Sequence, residues 1–75
     1  MSAVIVQLHE TRQAKAQGVF AAVNIAARRM GYSDQVALRA AQRAREAYQA
    51  GGHSAARVIA DQRALLRQSA EGRLA

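Results

Sequence analysis

Two short glycine-containing segments divide this chain into three stretches of helical sequence. Residues 30–34 read MGYSD and residues 50–54 read AGGHS. Each segment places a glycine, which can adopt a positive φ, shortly before a serine that can cap the next helix. The chain contains no proline, which favours uninterrupted helices. The sequence therefore predicts a single all-α domain over residues 1–75, with three helices at about 11–30, 33–50 and 54–70.

The two ends of the chain are less clearly defined. Around residues 3–9, side chains alternate with a period of two that is typical of a short strand: Val4, Val6 and Leu8 against Ile5, Gln7 and His9. Such a strand would need a partner, for example the same strand of a second copy. The alternatives are an N-terminal arm over residues 1–9, with Thr11 as the first N-cap, or an extension of the first helix. Residues 71–75 are expected to fray.

Helical spacing of apolar residues predicts one core-facing side for each helix. The expected core positions are Ala16, Val19, Phe20, Val23, Ala26, Ala27 and Met30 in the first helix; Val36, Ala37, Ala40, Ala41, Ala44, Ala47 and Tyr48 in the second; and Ala55, Val58, Ile59, Leu65 and Leu66 in the third. Nineteen residues are alanine, and burying alanine removes little apolar surface from water. A core of this kind suggests a homo-oligomer, most simply a homodimer.

The charge of the chain points to an anionic partner. Eleven lysines and arginines against five acidic residues give a net charge of +6, and all but Lys15 of the basic residues are arginine. Arginine suits phosphate and carboxylate equally well, so nucleic acid and an acidic protein are both candidate partners, and a solvated basic surface without a partner is the alternative. No apolar run approaches a membrane span of about 20 residues, so no membrane association is expected. The chain has no cysteine, which fits a cytoplasmic location.

Two pairs of arginines are the candidate nucleic-acid contacts. Arg39 and Arg43 stand four residues apart on the second predicted helix, and Arg63 and Arg67 do so on the third. Stacked like charges repel one another on a helix, and an anionic partner would relieve that repulsion. Separately, Ile25 and Leu38 fall off the predicted core faces on either side of the turn at residues 30–34. They are the candidate contacts for a protein partner.

The segment 26–35 resembles the second helix-turn-helix of arabinose-regulator (AraC-type) transcription factors. The similar features are a small residue at Ala27, an apolar residue at Met30, the turn glycine Gly31 and the run 32–35 that leads into the next helix. The resemblance implies that this next helix enters a DNA major groove with the following residues on or near the groove side: Ser33, Asp34, Gln35 and Arg39. The chain differs from that family at Leu38 and Gln42, where the family has large aromatic residues.

The order strand, helix, turn, helix is also similar to that of ribbon-helix-helix repressors. That similarity implies a dimer whose paired strands insert into the major groove, with Ile5, Gln7 and His9 turned towards DNA. Both similarities compete with a simpler interpretation, in which the Gly-Tyr-Ser sequence at residues 31–33 is a C-cap followed by an N-cap.

No arrangement of residues suggests catalysis. The chain has two histidines, His9 and His53, and five scattered acidic residues, without a metal-ligand pair, a phosphate loop or a nucleophile beside a base. We therefore expect no enzyme activity, cofactor, metal or small-molecule substrate. The sequence predicts a small basic regulatory protein that binds nucleic acid. The alternatives are an adaptor or inhibitor that docks on an acidic protein, and a structural homo-oligomer.

Overall fold

A computed structural model describes the backbone of residues 2–74 and the side chains of residues 11–69. The structure consists of three helices, namely α1 (Ser2–Arg29), α2 (Asp34–Gln49) and α3 (Ala55–Leu74). The expected all-α fold with three helices is therefore confirmed, and residues 2–74 contain no strand.

Helix α1 begins nine residues earlier than the predicted start at residue 11. Residues 3–9 are part of this helix, so the strand alternative is wrong for the described backbone. A helix satisfies its backbone hydrogen bonds within one segment, whereas a lone strand leaves them unpaired. Thr11 consequently lies inside α1 rather than capping it. The side chains of Ile5, Gln7 and His9 lie outside the described residues, and α3 continues to Leu74, beyond the predicted end at residue 70.

The first turn closes α1 and opens α2 in the predicted manner. Gly31 has a φ of 93°, and the amides of Gly31 and Tyr32 donate to the carbonyls of Arg28 and Ala27 at 3.0 and 3.1 Å. This pair of hydrogen bonds is a Schellman motif, which requires a left-handed residue at the glycine position. Ser33 then caps α2, because its hydroxyl accepts a hydrogen bond from the Val36 amide at 3.3 Å.

The second turn uses two glycines in succession. Gly51 and Gly52 have φ values of 87° and 90°, so both adopt the conformation that the sequence predicts for this segment. Ser54 caps α3 by accepting a hydrogen bond from the Arg57 amide at 3.1 Å.

Helices α1 and α2 form an antiparallel hairpin. The Arg28 Nη2 atom lies 3.6 Å from the Asp34 carboxylate, and the Arg45 guanidinium lies 5.1 Å from the centre of the Phe20 ring. The two contacts pair residue 28 with 34 and residue 20 with 45, so the two helices run in opposite directions. The hydroxyl of Tyr32 bonds the carbonyl of Leu66, which places the start of α2 beside the second half of α3. Helix α3 therefore folds back onto the hairpin, and it contacts both α1 and α2.

The core is small and consists mainly of alanine. Helix α2 contributes four buried alanines, Ala37, Ala40, Ala41 and Ala44, and the largest fully buried side chains are Val19 and Val23. Two predicted core residues are wrong, because Ala47 is exposed and Leu65 is 56% exposed. Leu65 and Leu66 are neighbours about 100° apart round the helix, and Leu66 takes the core position. Tyr32, which the sequence places in the first turn, is buried in the core.

Candidate nucleic-acid interface

Arg39 and Arg43 lie together on the solvent-facing side of α2. Both side chains are exposed, and each is followed directly by a buried alanine, Ala40 or Ala44, which holds the helix against the core. With Val36, Gln42 and Glu46 they line an open depression along this one helix. We call Arg39 and Arg43 the α2 pair. Its members are separated by about 6 Å along the helix axis, which is four residues at 1.5 Å each.

Arg63 and Arg67, which we call the α3 pair, lie on a different side of the bundle from the α2 pair. Both are exposed. Leu65 is two residues from Arg63 and two from Arg67, so it lies nearly opposite both of them on the helix, about 200° round. Leu65 and Arg43 together line a depression between α2 and α3. The α3 pair therefore points away from the side of α3 that adjoins Arg43. The structure keeps each predicted pair together on its own helix but does not join the two pairs into one surface.

The arginines of both pairs have no ion-pair partner among residues 11–69. Of the three acidic side chains in that range, Asp34 pairs with Arg28 at 3.6 Å and Asp61 pairs with Arg57 at 3.5 Å. Glu46 lines the depression beside the α2 pair, and no basic group of residues 11–69 forms an ion pair with it. Positive charge on the two pairs is consequently left for solvent or for a partner.

Ser33 and Gln35 occupy the start of α2 but do not form the predicted helix-turn-helix arrangement. The hydroxyl of Ser33 serves as the N-cap acceptor, and Gln35 is exposed in the first turn. In a helix-turn-helix the two helices cross at about 90–120°. Here α1 and α2 lie side by side from the Arg28–Asp34 ion pair to the Phe20–Arg45 contact, so the geometry that the resemblance implies is absent from the described hairpin.

Ile25 and Leu38 are exposed, as their positions off the core faces predicted. Their side chains are 51% and 41% exposed. Ile25 stands two residues from buried Val23 and from buried Ala27, so it projects from the face of α1 opposite the core. Leu38 directly follows buried Ala37 and lies at the edge of the core face of α2. The two side chains thus point in different directions, rather than forming the single patch suggested by their positions in the sequence.

Two further residues of this surface are not among the predicted contacts. Arg29 is exposed, and it lies about 100° round α1 from Arg28, which reaches towards α2 to contact Asp34. Leu65 is a third exposed large apolar side chain. Helical spacing places Arg29 off the core face, on the same side of the helix as Ile25, whereas the exposure of Leu65 depends on how α3 packs.

The described residues offer no sign of a metal centre or a membrane span. Residues 11–69 contain no group of three or more histidine or acidic side chains able to hold a metal ion. In the described part of the chain, none of the helices has both the length and the apolar character needed to cross a bilayer. No protein-family model matches the chain, and neither a curated protein nor a solved structure is significantly similar to it.

Proposed function

We propose that this protein is a small, basic, non-enzymatic regulatory protein that binds nucleic acid through the arginines of α2 and α3. The proposal is based on a difference in ion pairing among the arginines. Arg28 and Arg57 each have an acidic side chain within 3.6 Å, while the α2 and α3 pairs are exposed and have no ion-pair partner in the described part of the chain.

Phosphate is a suitable ligand for such a pair. A guanidinium can donate two parallel hydrogen bonds to one phosphate group. Binding releases counterions from the nucleic acid, and this release supplies most of the affinity of sequence-independent contacts. It also removes the repulsion between two arginines spaced four residues apart, which costs a few tenths of a kcal/mol in the free helix.

The proposal can be tested by measuring duplex and single-strand binding over a series of salt concentrations. The test variants are Arg39→Gln/Arg43→Gln and Arg63→Gln/Arg67→Gln. The matched control is Arg28→Gln/Arg57→Gln, which lowers the net charge by the same two units but removes arginines that already have acidic partners. Each lost phosphate contact should reduce the slope of log K against log salt by about one, so a pair that binds backbone should lower it by about two.

Three results would count against the proposal. The first is a parent protein that retards neither duplexes nor single strands at low salt. The second is a control whose slope falls as far as that of the test variants, because net charge rather than the two pairs would then explain binding. The third is an unchanged slope in both test variants.

A second candidate function is docking on an acidic protein, and the exposure of Ile25 and Leu38 favours it. Apolar contacts depend on salt much less than phosphate contacts do. On this proposal, Ile25→Asp and Leu38→Asp would abolish partner binding, while arginine substitutions would mainly slow association. The two functions therefore predict opposite rankings of the apolar and the arginine variants.

We also propose that the protein is a cytoplasmic homo-oligomer. Its core consists mainly of alanine, and the largest fully buried side chains are Val19 and Val23. Burying such small side chains removes little apolar surface from water, so contact with a second copy would add burial that a single chain lacks. Sedimentation at micromolar concentration should give a mass above 8.1 kDa, and the mass of a single chain at all concentrations would contradict this.

A further inference from the structure

We propose that one chain bridges two segments of double-stranded nucleic acid, one on the α2 pair and the other on the α3 pair. This inference rests on the proposed nucleic-acid binding and concerns how the two arginine pairs share it. It is based on the positions of the two pairs round the bundle. Arg43 lines the same depression as Leu65, whereas the α3 pair lies on the other side of α3.

The two pairs lie too far round the bundle for one straight duplex to contact both. Leu65 faces the α2 side of α3, and the α3 pair is about 200° round the helix from it. The Cα atoms of the chain span 56 × 22 × 14 Å, and side chains add to each dimension. A major groove is about 12 Å wide, so the bundle cannot enter one groove and place each pair against one of its two phosphate backbones. Each pair is instead free to meet a separate backbone.

The chemistry of both surfaces is the same, which suits two ligands of one kind. Each surface presents two guanidiniums without acidic partners in the described range, spaced by about 6 Å along a helix axis. A duplex carries one negative charge per roughly 1.7 Å of its length, which is the dense, regular array of phosphates that such a pair can use. Two contacts on each side bind weakly alone, but many copies between two aligned duplexes would act together.

A capture assay tests this inference directly. A biotinylated DNA duplex is fixed to beads, the protein is added, and a second fluorescent duplex is supplied. The protein concentration is one at which sedimentation gives the mass of a single chain, so that bridging by an oligomer is avoided. We expect the parent to retain the fluorescent duplex on the beads. The same assay with RNA duplexes determines which kind of duplex is captured more strongly.

The variants separate bridging from binding. Arg39→Gln/Arg43→Gln and Arg63→Gln/Arg67→Gln should each still bind the fixed duplex at low salt but lose capture of the second. Arg28→Gln/Arg57→Gln, with the same net charge, should keep both properties. An equimolar mixture of the two test variants should also fail to capture, because no single chain then carries both pairs. Circular dichroism checks that all the variants remain helical.

The outcomes that overturn bridging differ from those that overturn nucleic-acid binding. A parent that binds the fixed duplex and captures no second duplex, whether DNA or RNA, overturns bridging alone. Capture that survives in both test variants, or that returns in their mixture, also overturns it. A parent that does not bind the fixed duplex at any salt concentration overturns the proposed function as well.

Discussion

The phenol of Tyr32 donates a 2.6 Å hydrogen bond to the backbone carbonyl of Leu66. This contact joins the turn between α1 and α2 to the second half of α3, across 34 positions of sequence. Both side chains belong to the buried cluster. The bond therefore fixes where α3 lies against the hairpin, and with it the direction in which the α3 pair points.

Removing this hydroxyl should destabilise the fold without changing its shape. Tyr32→Phe keeps the buried ring and removes one hydrogen bond, which should lower the free energy of unfolding by about 1 kcal/mol. For a domain of this size that corresponds to a fall in Tm of roughly 4–8 °C. The matched control is Tyr48→Phe, since the half-buried Tyr48 has no hydrogen bond within the described residues. Equal melting temperatures for the two variants would contradict a stabilising role for the Tyr32 hydroxyl.

The alanine face of α2 should tolerate no larger side chain. Ala44 is fully buried, and Ala44→Leu would force its neighbours apart, at a cost of about 1–3 kcal/mol. Ala47 lies one turn further along the same helix and is exposed, so Ala47→Leu should change stability by less than about 0.5 kcal/mol. Urea unfolding of the two variants measures the difference. A comparable loss in both would show that the packing of α2 is not what limits residue size.

Glycine substitutions should change stability in opposite directions at different sites. Gly31 and Gly52 have positive φ values of 93° and 90°, so an alanine at either should cost about 1 kcal/mol or more. Gly18 lies within α1, and a β-carbon there would meet nothing within 4 Å. Gly18→Ala should therefore stabilise the protein by up to about 1 kcal/mol. Thermal melts of the three variants test the signs, and destabilisation by Gly18→Ala would contradict this prediction.

Local sequence patterns predicted the number of helices and both turns because those features depend on neighbouring residues. Ser33 and Ser54 cap their helices, and the glycines at both turns adopt positive φ, as short-range chemistry requires. The sequence alone does not decide where α1 starts, because the alternation at residues 3–9 fits a strand as well as an extension of the helix, and the structure shows the extension. Residues 3–6 are all apolar, so the alternation there is incomplete and does not distinguish a strand from a helix.

The arrangement of the candidate site could be predicted only in part. A spacing of four residues places both members of an arginine pair on one side of a helix, and this needs no knowledge of the fold. The direction in which the α3 pair points depends on the rotation of α3 about its axis. That rotation is set by whether Leu65 or Leu66 is buried in the core. That choice is made by packing against Tyr32 and the other buried residues, and it is not encoded in the local pattern.

The placement of the aromatic residues predicts a preference for duplexes over single strands. The chain has one phenylalanine and two tyrosines. Tyr32 is buried, Phe20 and Tyr48 are half-buried against the core, and Arg45 covers the Phe20 ring. Proteins that bind single strands without sequence preference stack bases on exposed aromatic rings, which contributes about 1–3 kcal/mol per base. With its rings engaged in the core, this protein should depend on phosphate contacts, and these are more closely spaced on a duplex.

We therefore expect a duplex to bind more tightly than either of its separated strands at the same length and salt concentration. Tyrosine emission should change little when a single strand is added, because Tyr32 is buried and Tyr48 packs against the core. The chain has no tryptophan, so this emission reports directly on Tyr32 and Tyr48. Tighter binding of a single strand, accompanied by quenched tyrosine emission, would show that a ring leaves the core on binding and would contradict backbone-dominated recognition.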